Sequence, residues 1–221
     1  MNMMEPYISS SELPATITRK WMTNLCRQFI LKDSLKEDLG LYNGKMGYVL
    51  FFFHCARHLD NLWFEEYAED LLDEIYSDVT LETPLNFFNG LCGIGWGIEY
   101  LVQHGFVKGC TDEILADLDE KVMRTDPRRI EDSSYETGIR GIAAYVCSRL
   151  SSPRSTGSTL PFDSLYLEDL RGACLRLGVD MERNLKFSDL LERVSIYYSG
   201  KPKSEMCWYL SLIHISEPTR L

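Results

Sequence analysis

One glycine motif recurs three times in this 221-residue chain and constrains the fold more than any other feature. Each copy reads G-x-x-G and is followed at once by an apolar stretch, and the copies begin 46 and 48 residues apart. A period in the forties is typical of helical-hairpin repeats, in which each unit is one pair of helices. The glycines of the three copies are Gly44 and Gly47, Gly90 and Gly93, and Gly138 and Gly141.

The helix after each motif, called here a motif helix, is predicted to be buried on all sides. Its residues are apolar nearly all round, and a helix without a polar face has no side that favours water. Glycine inside a helix costs about 1 kcal/mol relative to alanine, so glycines at the start indicate a tight turn or a close backbone approach. Asn43, Asn89 and Thr137 stand directly before the motifs and are predicted to cap the helices.

A second helix, called here a covering helix, is predicted after each motif helix. Residues 62–79 place apolar side chains on one stripe and acidic side chains on the other side. Residues 111–123 repeat the scheme with Thr111 as the predicted N-cap, and residues 163–178 end at Gly178. The three hairpin units therefore lie near residues 41–80, 87–125 and 135–178.

Buried helices that alternate with covering helices predict an all-α fold. The arrangement that satisfies both kinds of helix is a double ring, an α/α toroid, in which motif helices surround an axis and covering helices shield them. One more helix is predicted before the first unit, at residues 15–31, and another at residues 187–200. With only three hairpins, the toroid would be incomplete.

The motifs "GLYNGKMGYVLFFF", "FFNGLCGIGWGIEYLV" and "SYETGIRGIAAYV" resemble those of the lanthionine synthetase C-like family, over residues 41–150. The resemblance implies an α/α toroid and, for the full-length parent, zinc-dependent cyclisation of a ribosomally made precursor peptide. In that reaction a peptide thiol adds to a dehydrated serine or threonine and forms a thioether. The family's enzymes hold zinc with two cysteines and a histidine in later repeats, where the metal lowers the thiol pKa. This chain lacks those motifs, and Thr137 replaces a histidine of the family.

The resemblance therefore implies that residues 1–209 are the N-terminal part of such a toroid, without cyclase activity or a cofactor of its own. Residues 210–221 resemble the translation of a sequencing adaptor and are expected to be non-native. Uncovered helix faces at the open edges of the toroid would favour self-association. Two alternatives stay open: a non-catalytic toroid that binds a peptide or partner protein, and a toroid glycosidase that uses Glu99 and Glu136.

Several residues near the starts of the motif helices are predicted to line a central peptide-binding cavity. Free N–H groups there would favour an anion such as a peptide carboxylate. Glu99 is a carboxylate on an otherwise apolar helix, so it needs a partner or an opening to water. Arg140 and Lys45 are the expected partners, in a structural ion pair or in the cavity wall. The candidate residues are Trp96, Glu99, Tyr135, Glu136 and Arg140.

Composition limits the remaining functions. The net charge of −10 argues against nucleic acid and anionic membranes as partners. No signal peptide and no apolar run of about 20 residues is found, which indicates a cytoplasmic protein. The seven cysteines form no C-x-x-C pair and are predicted to be reduced core residues. His54 and His58 could face one metal ion, but a third ligand is missing, so no metal site is predicted.

Overall fold

The computed structural model describes residues 12–33, 38–42, 44–80, 82–153 and 160–179. This part of the chain contains eight α-helices and one short 3-10 helix and no β-strand, which confirms the prediction of an all-α protein. The described helices fall into two compact units, one formed by residues up to 39 and 44–79 and the other by residues 40–42 and those from 80 onward. The predicted helix at 187–200 and the tail at 210–221 lie outside the described residues.

The first unit contains a hairpin of one motif helix and one covering helix. Two residues connect them: Asp60 adopts a left-handed conformation with φ of 52°, and the side chain of Asn61 caps the next helix by accepting a hydrogen bond from the Trp63 amide. A two-residue connection forces the helices to pack side by side in opposite directions. The helices of this unit are α1 (Glu12–Asp33), α2 (Lys45–Leu59) and α3 (Leu62–Asp78).

Aromatic side chains fill the core between α2 and α3. Phe52 is fully buried, and its ring contacts the ring of Tyr67 edge-on at a centroid distance of 4.9 Å. Lys45 Nζ lies 2.6 Å from Glu74 Oε2, which joins the start of α2 to the end of α3. The acidic side of α3 is exposed, as the amphipathic pattern predicts.

The second unit is built around two motif helices that pack against each other, α4 and α7. Every residue from 141 to 150 in α7 is buried, and most of α4 is buried as well, which confirms the prediction for these two motif helices. The prediction is wrong for α2, because His54, Arg57 and His58 are exposed. The helices of this unit are α4 (Leu91–Gln103), α5 (Thr111–Ile114), α6 (Ala116–Met123), the 3-10 helix (Pro127–Arg129), α7 (Ile139–Ser151) and α8 (Ser164–Arg176).

The covering segment after α4 differs from its prediction. Instead of one helix over residues 111–123, the backbone breaks at the buried residue Leu115 and forms the two short helices α5 and α6. Thr111 is not the N-cap, because Cys110 holds that position. The Thr111 hydroxyl instead accepts a hydrogen bond from Arg149 on α7, so the break places side chains of both short helices against one buried cation.

The covering helix α8 agrees with its prediction. The Asp163 side chain accepts a hydrogen bond from the Tyr166 amide and caps the start of the helix. Gly178 follows the last turn with φ of 66°, a left-handed conformation that glycine adopts without a steric penalty. The helix therefore begins and ends at the residues that the sequence marks.

Candidate functional site

The three motif helices begin with the same hydrogen bond. In each, the amide of the first helical residue donates to the carbonyl of the residue seven positions earlier. The predicted caps Asn89 and Thr137 are therefore wrong, since Gly90 and Gly138 are the N-cap residues and no side chain caps either helix. Asn43 lies outside the described residues. The three bonds join Lys45 to Asp38 at 2.9 Å, Leu91 to Pro84 at 2.8 Å and Ile139 to Asp132 at 2.9 Å.

The same upstream carbonyl explains the first glycine of the motif. A Cβ atom at Gly90 would overlap the carbonyl oxygen of Pro84, and a Cβ atom at Gly138 would overlap that of Asp132. These oxygens accept the first amides of α4 and α7, so they cannot move away without breaking the helix start. Because glycine has no Cβ atom, the loop carbonyl can approach and accept the hydrogen bond of the first helical amide. That amide is therefore not free to bind an anion.

Backbone hydrogen bonds also link successive loops within the second unit. The Tyr42 amide donates to the Phe88 carbonyl at 2.9 Å, and the Phe88 amide donates to the Glu136 carbonyl at 3.0 Å. All three residues stand two positions before the first glycine of a motif. The rings of Tyr42 and Phe88 are stacked at 4.8 Å. Equivalent positions of the three loops therefore form one continuous backbone ladder.

Phe87 brings two of the predicted binding residues together. Its buried ring lies 6.0 Å from the ring of Trp96 and 6.2 Å from that of Tyr135. Trp96 stacks on Tyr100 at 5.4 Å, which in turn stacks on His104 at 3.9 Å. An aromatic stripe thus runs along α4 from a buried end to an exposed one.

Two other predicted residues lie at the start of α7. Glu136 has an exposed side chain and contributes its backbone carbonyl to the ladder. Arg140 is half-buried, and its Nε atom is buried without a hydrogen-bond partner. The predicted pair between Arg140 and Glu99 does not form, because Glu99 binds a different arginine.

Glu99 is fully buried and is held from three sides. Its Oε2 atom accepts a hydrogen bond from Arg149 Nη1 at 2.7 Å. Its Oε1 atom accepts from the hydroxyl of Ser152 at 2.6 Å and from the amide of Gln103 at 2.9 Å. The other expected partner, Lys45, binds Glu74 instead, so both predicted pairings of Glu99 are wrong.

Arg149 is the centre of the largest polar cluster among the described residues. Besides Glu99, the guanidinium donates to Asp119 through Nε and Nη2, at 3.0 and 2.7 Å. It also donates to Thr111 through Nη1 and to Asp112 through Nη2, both at 3.0 Å. A guanidinium has five N–H donors, and these partners can occupy all of them.

Protonation states in this cluster follow from its burial. Burial opposes the charge of Arg149, but hydrogen bonds to Asp119 and Glu99 outweigh it, so the pKa of Arg149 lies above its usual value. Tyr145 donates its hydroxyl to Asp119 at 2.6 Å. Burial, with the negative charge of Asp119, raises the pKa of Tyr145 well above its usual value. Both side chains therefore remain donors at neutral pH.

A cleft of about 210 Å³ opens beside the cluster. It is lined by Asp112, Asp119, Glu120 and Arg149 among others, and the side chain of Asp112 is 34% exposed. Because the cluster's carboxylates already accept hydrogen bonds from Arg149, they are poorly placed to act as a nucleophile or general acid. The arrangement joins α4, α5, α6 and α7 through one buried cation.

The sequence contains two signals for this cluster that the motif-based prediction did not use. Asp119 lies on the same helical stripe as Leu115, Leu118 and Val122, so an acid falls on the buried face. Arg149 is a cation on a helix predicted to be buried all round, which is the same anomaly as Glu99. A buried carboxylate on one motif helix and a buried cation on the next together predict the ion pair of Glu99 and Arg149.

The thiols and histidines occupy positions that suit structural roles. Five of the described cysteines are buried, as predicted, but Cys110 is exposed, so the prediction of a core residue is wrong there. Burial raises the pKa of Cys55 and of Cys174 to about 12, which keeps these thiols protonated. His54 and His58 are exposed on α2. Among the described residues, no group of three or more His, Cys, Asp and Glu side chains could hold a metal ion.

The fold and site thus define an all-α protein with glycine-started, buried helices and a buried arginine cluster. No helix in the described part of the chain combines the length and apolar character needed to cross a membrane. Comparisons with protein-family models, with curated proteins and with solved structures found no match to this chain.

Proposed function

We propose that this chain is the N-terminal part of a cytoplasmic α/α toroid, similar to the lanthionine synthetase C-like family, whose full-length form binds and modifies a ribosomally made peptide. The observation that carries the proposal is the backbone ladder through Tyr42, Phe88 and Glu136, in which equivalent positions of successive loops bond to one another. Stacked repeats require equivalent contacts between neighbouring repeats. The motif resemblance then supplies the family and the substrate class.

The second glycines of the motif support the same repeat. A Cβ atom at Gly93 would overlap the carbonyl of Phe87, six residues earlier, and would press on the side chain of Leu41. A Cβ atom at Gly141 would overlap the carbonyl of Tyr135, again six residues earlier, and the side chain of Phe87. Leu41, Phe87 and Tyr135 each stand three positions before the first glycine of a motif, so the same crowding occurs in successive motifs.

Zinc belongs to the missing part of the toroid under this proposal. The family's metal ligands lie in later repeats, and five of the described cysteines are buried, with burial raising the pKa of the Cys55 and Cys174 thiols. The chain by itself would therefore bind a peptide without cyclising it. Uncovered edges of the incomplete ring would also favour association between copies.

A second candidate is a toroid that binds a peptide or partner protein without catalysis. One observation favours it: Glu99, the carboxylate most suited to chemistry by its position, is fully engaged by Arg149, Ser152 and Gln103. Thr137, where the family has a histidine, points the same way. The glycosidase alternative loses support, because Glu99 is buried in the cluster while Glu136 is exposed.

The deciding experiment uses the uninterrupted gene. The full-length protein is expressed with a dehydrated precursor peptide encoded beside that gene, and zinc content, peptide binding and the loss of free peptide thiols are measured. Under the cyclase proposal the protein contains one zinc per chain and the thiols disappear without a change in peptide mass, because addition of a thiol to a double bond releases nothing.

The outcomes separate the candidates. Peptide binding without zinc and without thiol loss would establish the scaffold and exclude the cyclase. Absence of peptide binding, together with a downstream sequence that continues without further G-x-x-G repeats, would overturn the toroid proposal.

A further inference from the structure

We infer that Arg140 binds a carboxylate of the ligand, either an acidic side chain or the C-terminus of a peptide recognised at the start of α7. The inference rests on the proposed function for the claim that the ligand is a peptide. The chemistry of the site, a carboxylate-binding arginine, rests on the contacts of Arg140 alone.

The first step is the unsatisfied donor. The Nε atom of Arg140 is buried and has no hydrogen-bond partner. A buried donor without an acceptor costs about 1–3 kcal/mol, and more when the group is charged. Native proteins leave few such groups, and those that remain call for an explanation such as a bound ion or ligand.

The second step is a comparison with the other cations of the same unit. Of the cationic side chains that the described part of this unit buries fully or by half, Lys121 donates to the carbonyl of Thr83 at 2.8 Å, and Arg149 binds three carboxylates. Arg140 is the third, and no hydrogen bond or ion pair satisfies its Nε. The chain carries 33 acidic residues, but no salt bridge joins any of the described ones to Arg140.

The third step concerns the surroundings of Arg140. Burial raises the pKa of Tyr135, and the positive charge of Arg140 opposes that rise, which places the guanidinium near this ring. Tyr135 belongs to the group around Phe87 and Trp96. A half-buried cation near the half-buried ring of Tyr135 is in a setting less polar than water, where a charge-assisted hydrogen bond is stronger.

The fourth step is the ligand class. A guanidinium offers Nε and one Nη as a fork that matches the two oxygens of a carboxylate. Nε is sealed from solvent, so a ligand reaches it after the Arg140 side chain rotates. That rotation breaks no hydrogen bond of Nε, whereas the same motion at Arg149 would break several. An unpaired arginine is therefore the easier one to recruit.

The test uses the full 221-residue chain with ¹⁵N-labelled arginine. The Nε–Hε resonance of Arg140 is assigned with Arg140→Lys and followed during titration with two probes at constant ionic strength. One probe is N-acetyl-tetraglutamate amide, which carries side-chain carboxylates only. The other is N-acetyl-tetraalanine, which carries only a C-terminal carboxylate. Arg171→Lys, at an exposed position on α8, is the matched control variant.

We expect one of the probes to shift the Arg140 resonance in a saturable way, and the probe that does so identifies the source of the carboxylate. Arg140→Lys should weaken binding of that probe about 10- to 100-fold, measured by calorimetry, because an ammonium cannot bind both oxygens in a fork. Arg171→Lys should leave the affinity unchanged. Urea unfolding of each variant checks that it folds.

The inference is overturned if neither probe moves the Arg140 resonance, or if both arginine variants weaken binding equally. Carboxylate binding at Arg140 by a full-length protein that ignores the precursor peptide would uphold the site and remove the proposed function. The two failures are therefore distinguishable.

Discussion

Two arginines on α7 illustrate opposite uses of a buried cation. Arg149, near the end of the helix, is fully buried and donates to Glu99, Asp112 and Asp119. Arg140, in the first turn of the same helix, is half-buried and leaves its Nε without an acceptor. Both residues stand on one rigid element. The difference therefore comes from what the neighbouring helices place against them.

The comparison separates a cluster that stabilises the fold from the arginine proposed to bind a ligand. Around Arg149, α4, α5 and α6 all contribute acceptors, so removal of the arginine would leave buried carboxylates unpaired. Around Arg140, the charge of the guanidinium acts on the ring of Tyr135 and on the buried thiol of Cys174, and neither is a carboxylate. Proteins satisfy local rules almost everywhere and depart from them at functional sites. Among the described residues, the buried polar side-chain atoms without a hydrogen-bond partner are Nε of Arg140 and the hydroxyl oxygen of Tyr166, and only Arg140 carries a charge.

Replacing each arginine by methionine should give the largest difference between the two sites. Arg149→Met should lower the free energy of unfolding by about 3–5 kcal/mol, since it leaves carboxylates of the cluster buried without their cation. Arg140→Met should change it by less than about 1 kcal/mol, because the lost charge had no buried partner. Urea unfolding followed by circular dichroism measures both. Equal losses for the two variants would show that Arg140 has a structural partner.

The next effect tests the crowding at the start of α7. Gly141→Ala should destabilise the protein by about 1–3 kcal/mol, because its Cβ atom would overlap both the carbonyl of Tyr135 and the side chain of Phe87. Gly172→Ala on α8 is the matched control, since a Cβ atom there meets nothing within 4 Å. The control should stabilise the protein by about 0.5–1 kcal/mol through helix propensity. Thermal unfolding of both variants measures the difference.

If Gly141→Ala proved as harmless as Gly172→Ala, the loop before α7 would have room to shift. The close approach would then not be the reason for the second glycine of the motif.

The smallest effect concerns pH and the loop that leads into Arg140. Hydrogen bonds from the Thr137 hydroxyl, and then from Ser134, hold the pKa of Asp132 below its usual value. A carboxylate with a lowered pKa in the folded state stabilises the protein above its unfolded-state pKa of about 3.9, and this contribution is lost as the pH falls through the folded-state value. Thr137→Val should therefore reduce stability above about pH 5 and have progressively less effect in more acidic solution.

Thr23→Val serves as the control for that measurement. The Thr23 hydroxyl donates to the backbone carbonyl of Arg19, which does not titrate. Its effect on the free energy of unfolding should be independent of pH between 3 and 7, as judged by urea titrations. A pH-independent effect of Thr137→Val would mean that the hydroxyl does not stabilise the charged form of Asp132.

Apolar patterns were sufficient to predict most of the described helices, whereas the polar pairings depend on contacts between residues that are far apart in sequence. The buried stretch 141–150 and the cap of α8 at Asp163 follow from local sequence, because they depend on residues within one or two turns. The partner of Glu99 is 50 residues away in sequence, and nothing local distinguishes Arg149 from Arg140 as that partner. Its choice depends on which end of α7 lies beside which end of α4.

The capping residues failed for a related reason. Asn89 and Thr137 have suitable side chains, but a loop carbonyl already accepts the first amide of each helix. Local propensity identified where each helix begins, but it did not identify the loop carbonyl oxygen that accepts the hydrogen bond of the first amide. The break at Leu115 is a further case, since α5 and α6 each bring acceptors to Arg149.

The ladder through Tyr42, Phe88 and Glu136 uses main-chain atoms only, and an aromatic or an acidic residue can occupy a rung equally well. Its geometry therefore places little demand on residue identity but a strict demand on spacing. Mutational scans of these loops should tolerate most exchanges of one amino acid for another, yet reject a single inserted or deleted residue. If the repeats arose by duplication, their loop sequences should diverge while the loop length stays the same.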